Sequence, residues 1–446
     1  MVQKRPDQNQ NKRQIIRDIF LAGVESVKPD NLINSSVSMD RNFLRIENLK
    51  FKLSEVKNIY VVGAGKASSL MAKAIENILG PKITAGHIVT KYGHSVPLKY
   101  LTATEAGHPV PDENGIEGTK RILTLVEKAD KEDLVICLLS GGGSALLIDV
   151  PEGCTLNDLK ILTDILIKSG ATINEINCIR KHLSKVKGGL LAKTAYPARV
   201  VTLILSDVIG DPLDVIASGP TASDPTTYSD ALSLMDKYNI RDKVPSRILE
   251  VLQDGIDKRR QETLKESDKA LKLTENLIIG NNKLALLAAK GKAESIGYEA
   301  KIISDNIAGD VTEVADRIMN LAIKTKKENS GKCTCLLFAG EPTVKVKGGG
   351  LGGRNQHLAL LAARLLKNID EITFLSGGTD GSDGPSDATG AVADSLTLVK
   401  ATEMNLDIDE YIDNSDSYNF FKQVEGLITT GPTQTNVMDL MIVLIN

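Results

Sequence analysis

The chain predicts an α/β protein built of two Rossmann-like three-layer domains with mostly parallel sheets, enclosing an inter-domain cleft. Two observations carry this. Short runs rich in Val and Ile recur along the 446 residues, each closing on a glycine-rich or polar loop and followed by a helix-like stretch, the pattern of βα units on a parallel sheet. The runs also fall into two sets, parted by the highly charged stretch Tyr238–Leu273 with its Lys258-Arg259-Arg260-Gln261-Glu262 core. This predicts a first domain over 1–238, a solvated helical connector over 239–273 and a second domain over 274–446. In such sheets ligands bind beyond the carboxyl ends of the strands, so the cleft is the expected active site.

In the first set the strands are Asn58–Gly63, Ala85–Thr90, Leu101–Ala106, Leu134–Ser140 and Val200–Ser206. After the first comes Gly63-Ala64-Gly65-Lys66-Ala67-Ser68. It is not a dinucleotide fingerprint, because Ser68 stands at the third glycine position. Nor is it a Walker A loop, which needs a glycine where Tyr60 stands and Ser or Thr where Ala67 stands. What remains is a lysine on a tight loop at a strand end, placed to neutralise a carboxylate or phosphate. Gly107-His108-Pro109 follows the third strand; this histidine, like His182 and His357, reads as structural or solvated.

Ser140-Gly141-Gly142-Gly143-Ser144 follows the fourth strand and is expected to open a helix or tight turn that cradles phosphate. It lacks the second glycine of a nucleophile elbow, so a serine hydrolase is disfavoured. The basic stretch Arg180 to Gly189 places Arg180, Ser184 and Lys187 on one helical face, either to address a polyphosphate or to complement a helix dipole. Asp207, directly after the fifth strand, is the best general-base or metal-ligand candidate of this half, with helix capping as its alternative. Asp211 precedes Pro212 and reads as a turn residue.

The second set is Leu277–Gly280, Ala300–Ser304, Thr334–Ala339, Ile372–Ser376 and Leu440–Ile445. Asn281-Asn282-Lys283 caps a helix from Leu284 to Lys290. Glu341, in Gly340-Glu341-Pro342-Thr343, is a metal or substrate ligand or a turn residue. The densest chemistry follows, in Lys345-Val346-Lys347-Gly348-Gly349-Gly350-Leu351-Gly352-Gly353-Arg354-Asn355-Gln356 and in Ser376-Gly377-Gly378-Thr379-Asp380-Gly381-Ser382-Asp383-Gly384. Glycines let amide N–H groups converge on an anion while Arg354 and the lysines supply positive charge; Asp380 and Asp383 offer hard oxygens for a divalent cation or a hydroxyl.

Composition narrows the function classes. With 42% hydrophobic and 25% charged residues the chain can bury a large core. A net charge of −3, a pI near 6.1, no Trp and 4% aromatics argue against a nucleic-acid binder. The stretch Met1–Ile15 is too polar for a signal peptide, and no apolar run approaches the roughly 20 residues of a membrane span, so the cytoplasm is expected. Five cysteines at irregular spacing read as buried thiols, with Cys333 and Cys335 on one face of a strand.

These residues carry a resemblance. Gly63-Ala64-Gly65-Lys66-Ala67, Gly107-His108-Pro109-Val110-Pro111, Leu139 to Leu147, Arg180-Lys181-His182-Leu183-Ser184, Ser206-Asp207-Val208, Ser218-Gly219-Pro220-Thr221, Gly348 to Gln356 and Gly378-Thr379-Asp380-Gly381 resemble, in order, the glycerate 2-kinases of the class that ends in a MOFRL domain. The match runs from Val61 to near the C-terminus. His357 stands where a glutamate often follows Asn-Gln in that family, and Leu190 where an arginine often follows Gly-Gly.

The resemblance implies ATP- and Mg²⁺-dependent phosphorylation of the 2-hydroxyl of D-glycerate to 2-phosphoglycerate, with a homodimer allowed. It implies Lys66, Asp207 and Arg354 as catalytic residues, with Lys66, Ser68, Arg354 and Asp380 at the substrate. Nucleotide phosphates would fall to Ser140, Gly141, Gly142, Gly143, Ser144, Lys187, Gly349, Gly350, Gly352 and Gly353. Metal ligation would fall to Asp207, Glu341 and Asp383. Phosphoryl transfer asks for positioning and charge neutralisation more than covalent help, which suits this residue set. The alternatives are another sugar-acid kinase, a hydroxypyruvate reductase, a label family members have carried, and a sugar-acid sensor. The first glycine loop fails the pattern a reductase needs, and a sensor needs neither Asp207 nor Asp383 for turnover.

Overall fold

The computed structural model describes residues 5–328 and 331–446, so the first residues of the polar stretch Met1–Ile15 lie outside the described part. The chain divides into two compact units, 29–279 and 1–28 with 280–446.

After the helix Pro29–Ser36, the unit 29–279 has a small antiparallel sheet that the sequence did not suggest: β1 (Val37–Met39), β2 (Phe43–Ile46) and β3 (Leu49–Lys52). Its main sheet holds β4 (Ile59–Ala64), β5 (Ala85–Lys91), β6 (Thr102–Ala106), β7 (Leu134–Leu139), β8 (Arg199–Leu205) and β9 (Thr274–Gly280) in the order β6-β5-β4-β7-β8-β9. The pairs β5/β6, β4/β5, β4/β7 and β7/β8 are parallel, as the buried apolar runs predict. The order reverses between β4 and β7. That is the topological switch point of a doubly wound sheet, where two loops part and leave a crevice.

Two expectations change here. Leu277–Gly280, read as the start of the second domain, closes the edge of the first sheet. The stretch 239–273 is also no solvated connector. Its helix Ser246–Ile256 buries Ile248, Val251 and Leu252, at i, i+3 and i+4, in a cluster with Leu166, Ile179, Tyr228 and Met235.

In the other unit, β10 (Glu299–Ile307), β11 (Thr334–Gly340), β12 (Ile372–Gly378), β13 (Gly390–Asp394), β14 (Leu427–Ile428) and β15 (Asp439–Ile445) form one sheet in the order β10-β11-β15-β12-β13-β14. This sheet corrects the expectation of two mostly parallel sheets. Only β10/β11 is parallel; β15 inserts antiparallel between β11 and β12, and β12/β13 and β13/β14 are antiparallel too. No crossover helix separates β12 from β13, so the chain returns in the opposite direction.

The helix Arg5–Ser26 belongs to this unit, not to the N-terminal half in which its sequence position had placed it. Arg13 makes two 2.7 Å bonds to the carboxylate of Asp394, which is 2% exposed. Gly23 lets the helix approach Leu440 and Ala285 so closely that a β-carbon would meet them at 2.9 and 3.0 Å. The helix Asn282–Ser295 is capped as predicted, Asn281 accepting the Leu284 N–H at 3.0 Å. All five cysteines are free thiols. Cys333 precedes β11 and is exposed, so only Cys335 points into the core. Among the described residues no helix is long and apolar enough to cross a membrane.

Candidate active site

In the unit 29–279, the exits of β4 and β7 at the switch point are laced together. The Lys66 N–H donates to the Gly141 carbonyl at 2.9 Å, and the Ala67 N–H to the Ser140 hydroxyl at 3.0 Å. Gly65 sits at φ +141, with the Ser140 hydroxyl where a β-carbon would be, so no other residue fits. Ser68 is fully buried and donates to the Gly65 carbonyl at 2.7 Å. It braces the lysine loop from behind.

Beyond β7 the chain takes a left-handed step at Gly142 (φ 81) into the one-turn helix Gly143–Leu146. A β-carbon at Gly142 would lie 2.8 Å from the His108 ring and 3.4 Å from Cγ of Lys66, so the glycine brings these two side chains together. The Lys66 ammonium has no ion-pair partner among the described residues. Burial, then the charges of Lys66, Lys91 and His94, push the His108 imidazole down to about 4, so it is neutral at pH 7. Asp207, at the exit of β8, lies against Gly141, whose β-carbon would fall 2.1 Å from Oδ2. A half-exposed ammonium, a neutral imidazole and a carboxylate thus converge around one glycine loop.

The underside of that loop is built from groups that sequence reasoning valued differently. Lys187, expected at a nucleotide, is 3% exposed and donates to the carbonyls of Ser144 at 2.9 Å and Leu147 at 2.6 Å. Burial, aided by the charge of Arg180, pushes its amine down to about 7. Arg180 also donates to the Ser144 carbonyl, at 2.9 Å. The two cations satisfy the carbonyl end of the short helix. The helix Ile173–His182 ends before Ser184 and Lys187, so the predicted shared face does not form. Ser144 pairs with the Ser218 hydroxyl at 2.8 Å, and Ala217 and Ser218 hold positive φ of 51 and 62. Such strain, of order 1–3 kcal/mol per residue, persists only where the surroundings over-determine it. Here Gly188 and Gly189 donate to the Ser218 and Gly219 carbonyls at 3.0 and 2.7 Å, and buried Lys181 ties Asp214 and Asp224 at 3.1 and 3.3 Å.

In the other unit, Arg354 starts the helix Arg354–Leu365 and is held by carboxylates on two sides. Asp439 accepts from Nε at 2.6 Å and Nη2 at 3.0 Å, and Glu341 from Nη1 at 2.7 Å. Against burial, these carboxylates hold the guanidinium charged above its ordinary range. Asp439 was not singled out from the sequence, where it is one acid ahead of an apolar run. Gly378 admits the Asp380 and Asp439 carboxylates, whose Oδ1 atoms would lie 3.1 and 3.5 Å from a β-carbon there.

The glycine run is already engaged. Gly349 N–H meets Asn414 Oδ1 at 3.2 Å, Gly350 N–H the Asn414 carbonyl at 3.0 Å, and Leu351 N–H Asp416 Oδ1 at 2.8 Å. Gly352 and Gly353 lead straight into the helix, and its N-terminus is filled by Asp383. That carboxylate, 3% exposed, accepts from the Asn355 and Gln356 N–H groups at 3.0 and 2.8 Å and from the Gln356 side chain at 2.9 Å. With those oxygens engaged Asp383 acts as a helix cap, and Glu341 and Asp383 are not joined by a third ligand. Among the described residues no group of three or more His, Cys, Asp or Glu side chains is placed to hold a metal.

Residues 15–253 match the model of a domain of unknown function, DUF4147, and residues 334–439 that of the MOFRL family. The chain is 42% identical to the D-glycerate 2-kinase of Thermotoga maritima over 96% of its own length and 97% of the relative's. To the glycerate 2-kinase of Pyrococcus horikoshii it is 39% identical, over 96% and 97%. The crystal structure of glycerate kinase from T. maritima superposes with a TM-score of 0.88 at 40% identity, covering 98% of this chain and all of that one.

Proposed function

The chain belongs to the glycerate kinase family that joins a DUF4147 domain to a MOFRL domain, and from that premise we propose that it transfers the γ-phosphoryl group of ATP to the 2-hydroxyl of D-glycerate. The observation that carries the reading is the switch-point constellation, an ammonium with no ion-pair partner among the described residues and a carboxylate against the neighbouring glycine loop. Lys66 neutralises charge on the transferring phosphoryl group or on the glycerate carboxylate. Asp207 accepts the proton of the attacking hydroxyl or shares in holding the cation. The loop Ser140–Ser144 lies along the nucleotide phosphates, braced from below by Lys187 and Arg180. Within the other unit, Arg354, pre-set by Asp439 and Glu341, is the cation we assign to the glycerate carboxylate or the phosphoryl group, and Asp380 the residue we assign to a hydroxyl.

The donor set suits Mg²⁺, which keeps several waters and uses one or two carboxylates together with phosphate oxygens instead of an all-protein cage. Asp207 is the carboxylate assigned to it. The bound ion would offset charge on the β- and γ-phosphates. Asp383, engaged as a helix cap, is left out of that role.

The test is ADP release from ATP, Mg²⁺ and D-glycerate, followed by addition of enolase. Direct consumption of the product by enolase identifies 2-phosphoglycerate. Lack of ADP release, with NADH oxidised on hydroxypyruvate, would replace this reading by the reductase.

A further inference from the structure

A cavity of about 330 Å³ opens in the unit 29–279, lined by none of the residues assigned above to the reaction. Its lining includes Leu183 and Leu190, and its charged lining is cationic: His182, Lys185, Lys193 and Arg260. Among the described residues no carboxylate lines it. His182 donates through both ring nitrogens, to the Cys178 carbonyl at 2.7 Å and to Glu262 at 2.9 Å, a pattern only the imidazolium can make.

The charge of the wall is incompletely offset. Glu262 answers His182, and Asp268 answers Lys193 at 3.0 Å. Arg260 has only a loose partner, Asp254 at 3.8 Å, and a 3.3 Å bond to the Glu152 carbonyl. Its Nε is buried without a hydrogen-bond acceptor, so the guanidinium is held only by these two long contacts and has a donor left for an anion in the cavity. Lys185 is exposed and has no ion-pair partner among the described residues.

We propose that this cavity is a second anion site, separate from the reaction centre, which takes the phosphate monoester of a small metabolite. An ammonium without an ion pair among the described residues and an under-paired guanidinium, backed by two further cations, match a dianion better than a single carboxylate. The leucines and the volume leave room for a short carbon body. The site stands whichever reaction the chain catalyses.

The probe is inorganic phosphate, titrated calorimetrically into the full chain carrying Lys66→Ala, which removes the cation of the switch-point loop. Binding is expected to persist in that background and to weaken at least tenfold on adding Lys185→Ser or Arg260→Gln, with circular dichroism unchanged. Because Lys185 is exposed, Lys185→Ser keeps the test valid if the arginine variant fails to fold. Titrations indistinguishable between Lys66→Ala and both double variants would overturn the site. So would loss of all phosphate binding on Lys66→Ala alone.

Discussion

Two glycine-rich loops with similar sequence credentials end up with opposite chemistry. At Ser140–Ser144 the loop is held from beneath, by Lys187 and Arg180 on its carbonyls, and presents Lys66, His108 and Asp207 around its upper edge. At Gly348–Gly353 the amides face inward to Asn414 and Asp416, and the helix N-terminus that follows is filled by the chain's own Asp383. Both loops obey the rule that glycine lets backbone approach closely. They differ in what approaches. A ligand site needs backbone groups left over after folding, and in the second loop a neighbouring segment of the same chain has taken several of them.

Asp207→Asn should produce the largest effect, lowering kcat on the order of 10²–10⁴-fold, the range for a general base. Lys66→Ala should lower kcat/KM by about 10²–10³, as for a preorganised charge donor. Steady-state assays with melting curves unchanged would place both effects in the reaction.

The second loop should answer in stability. Asp383→Ala strands the Asn355 and Gln356 N–H groups, and Gly350→Ala sets a β-carbon 2.4 Å from that of Asp416. Each should cost about 1–3 kcal/mol, read as a lower denaturation midpoint, with KM for ATP unchanged. A raised KM for ATP without loss of stability would break the comparison, by making this loop a nucleotide cradle after all.

The smallest effect is expected at His182, in the helix Ile173–His182. Against burial, its bonds to the Cys178 carbonyl and Glu262 hold the imidazole up at about 9. A folded-state value above the unfolded one stabilises fully below about 6.5 and loses that contribution as pH rises through 9. The stability gap between wild type and His182→Gln should therefore narrow between pH 7 and 10. Parallel curves would show that the imidazolium contributes nothing.

Much of the architecture was legible. β4, β5, β7, β8, β11 and β12 appear within a residue or two of the apolar runs that predicted them, because a buried strand in a layered sheet is a local pattern of Val, Ile and Leu. The loops at their carboxyl ends were legible for the same reason: glycine and polar residues end such runs. The short strands β1, β2, β3, β13 and β14 were missed, since segments of two to five residues leave too short a pattern to read.

Side-chain destinations were less legible. Lys187 and Lys66 are both lysines near glycines, yet one lies under its loop and the other beside it. Asp207 and Asp383 are both acids near strand ends, yet Asp383 fills a helix terminus. His108 was valued as structural although it faces Lys66 across Gly142.

By itself, the sequence determined that this is an α/β chain of the glycerate kinase family, with its longer buried strands in place and its chemistry in the loops after them. The tertiary structure alone decided that β15 inserts antiparallel into the second sheet, that β9 closes the first, and that the helix Arg5–Ser26 joins the far end of the chain through Arg13 and Asp394. It also decided which charged groups stay open to a ligand. The reason is distance along the chain. Propensity and periodicity act between near neighbours, whereas strand order and the partner of a buried charge are settled by residues that meet only after folding.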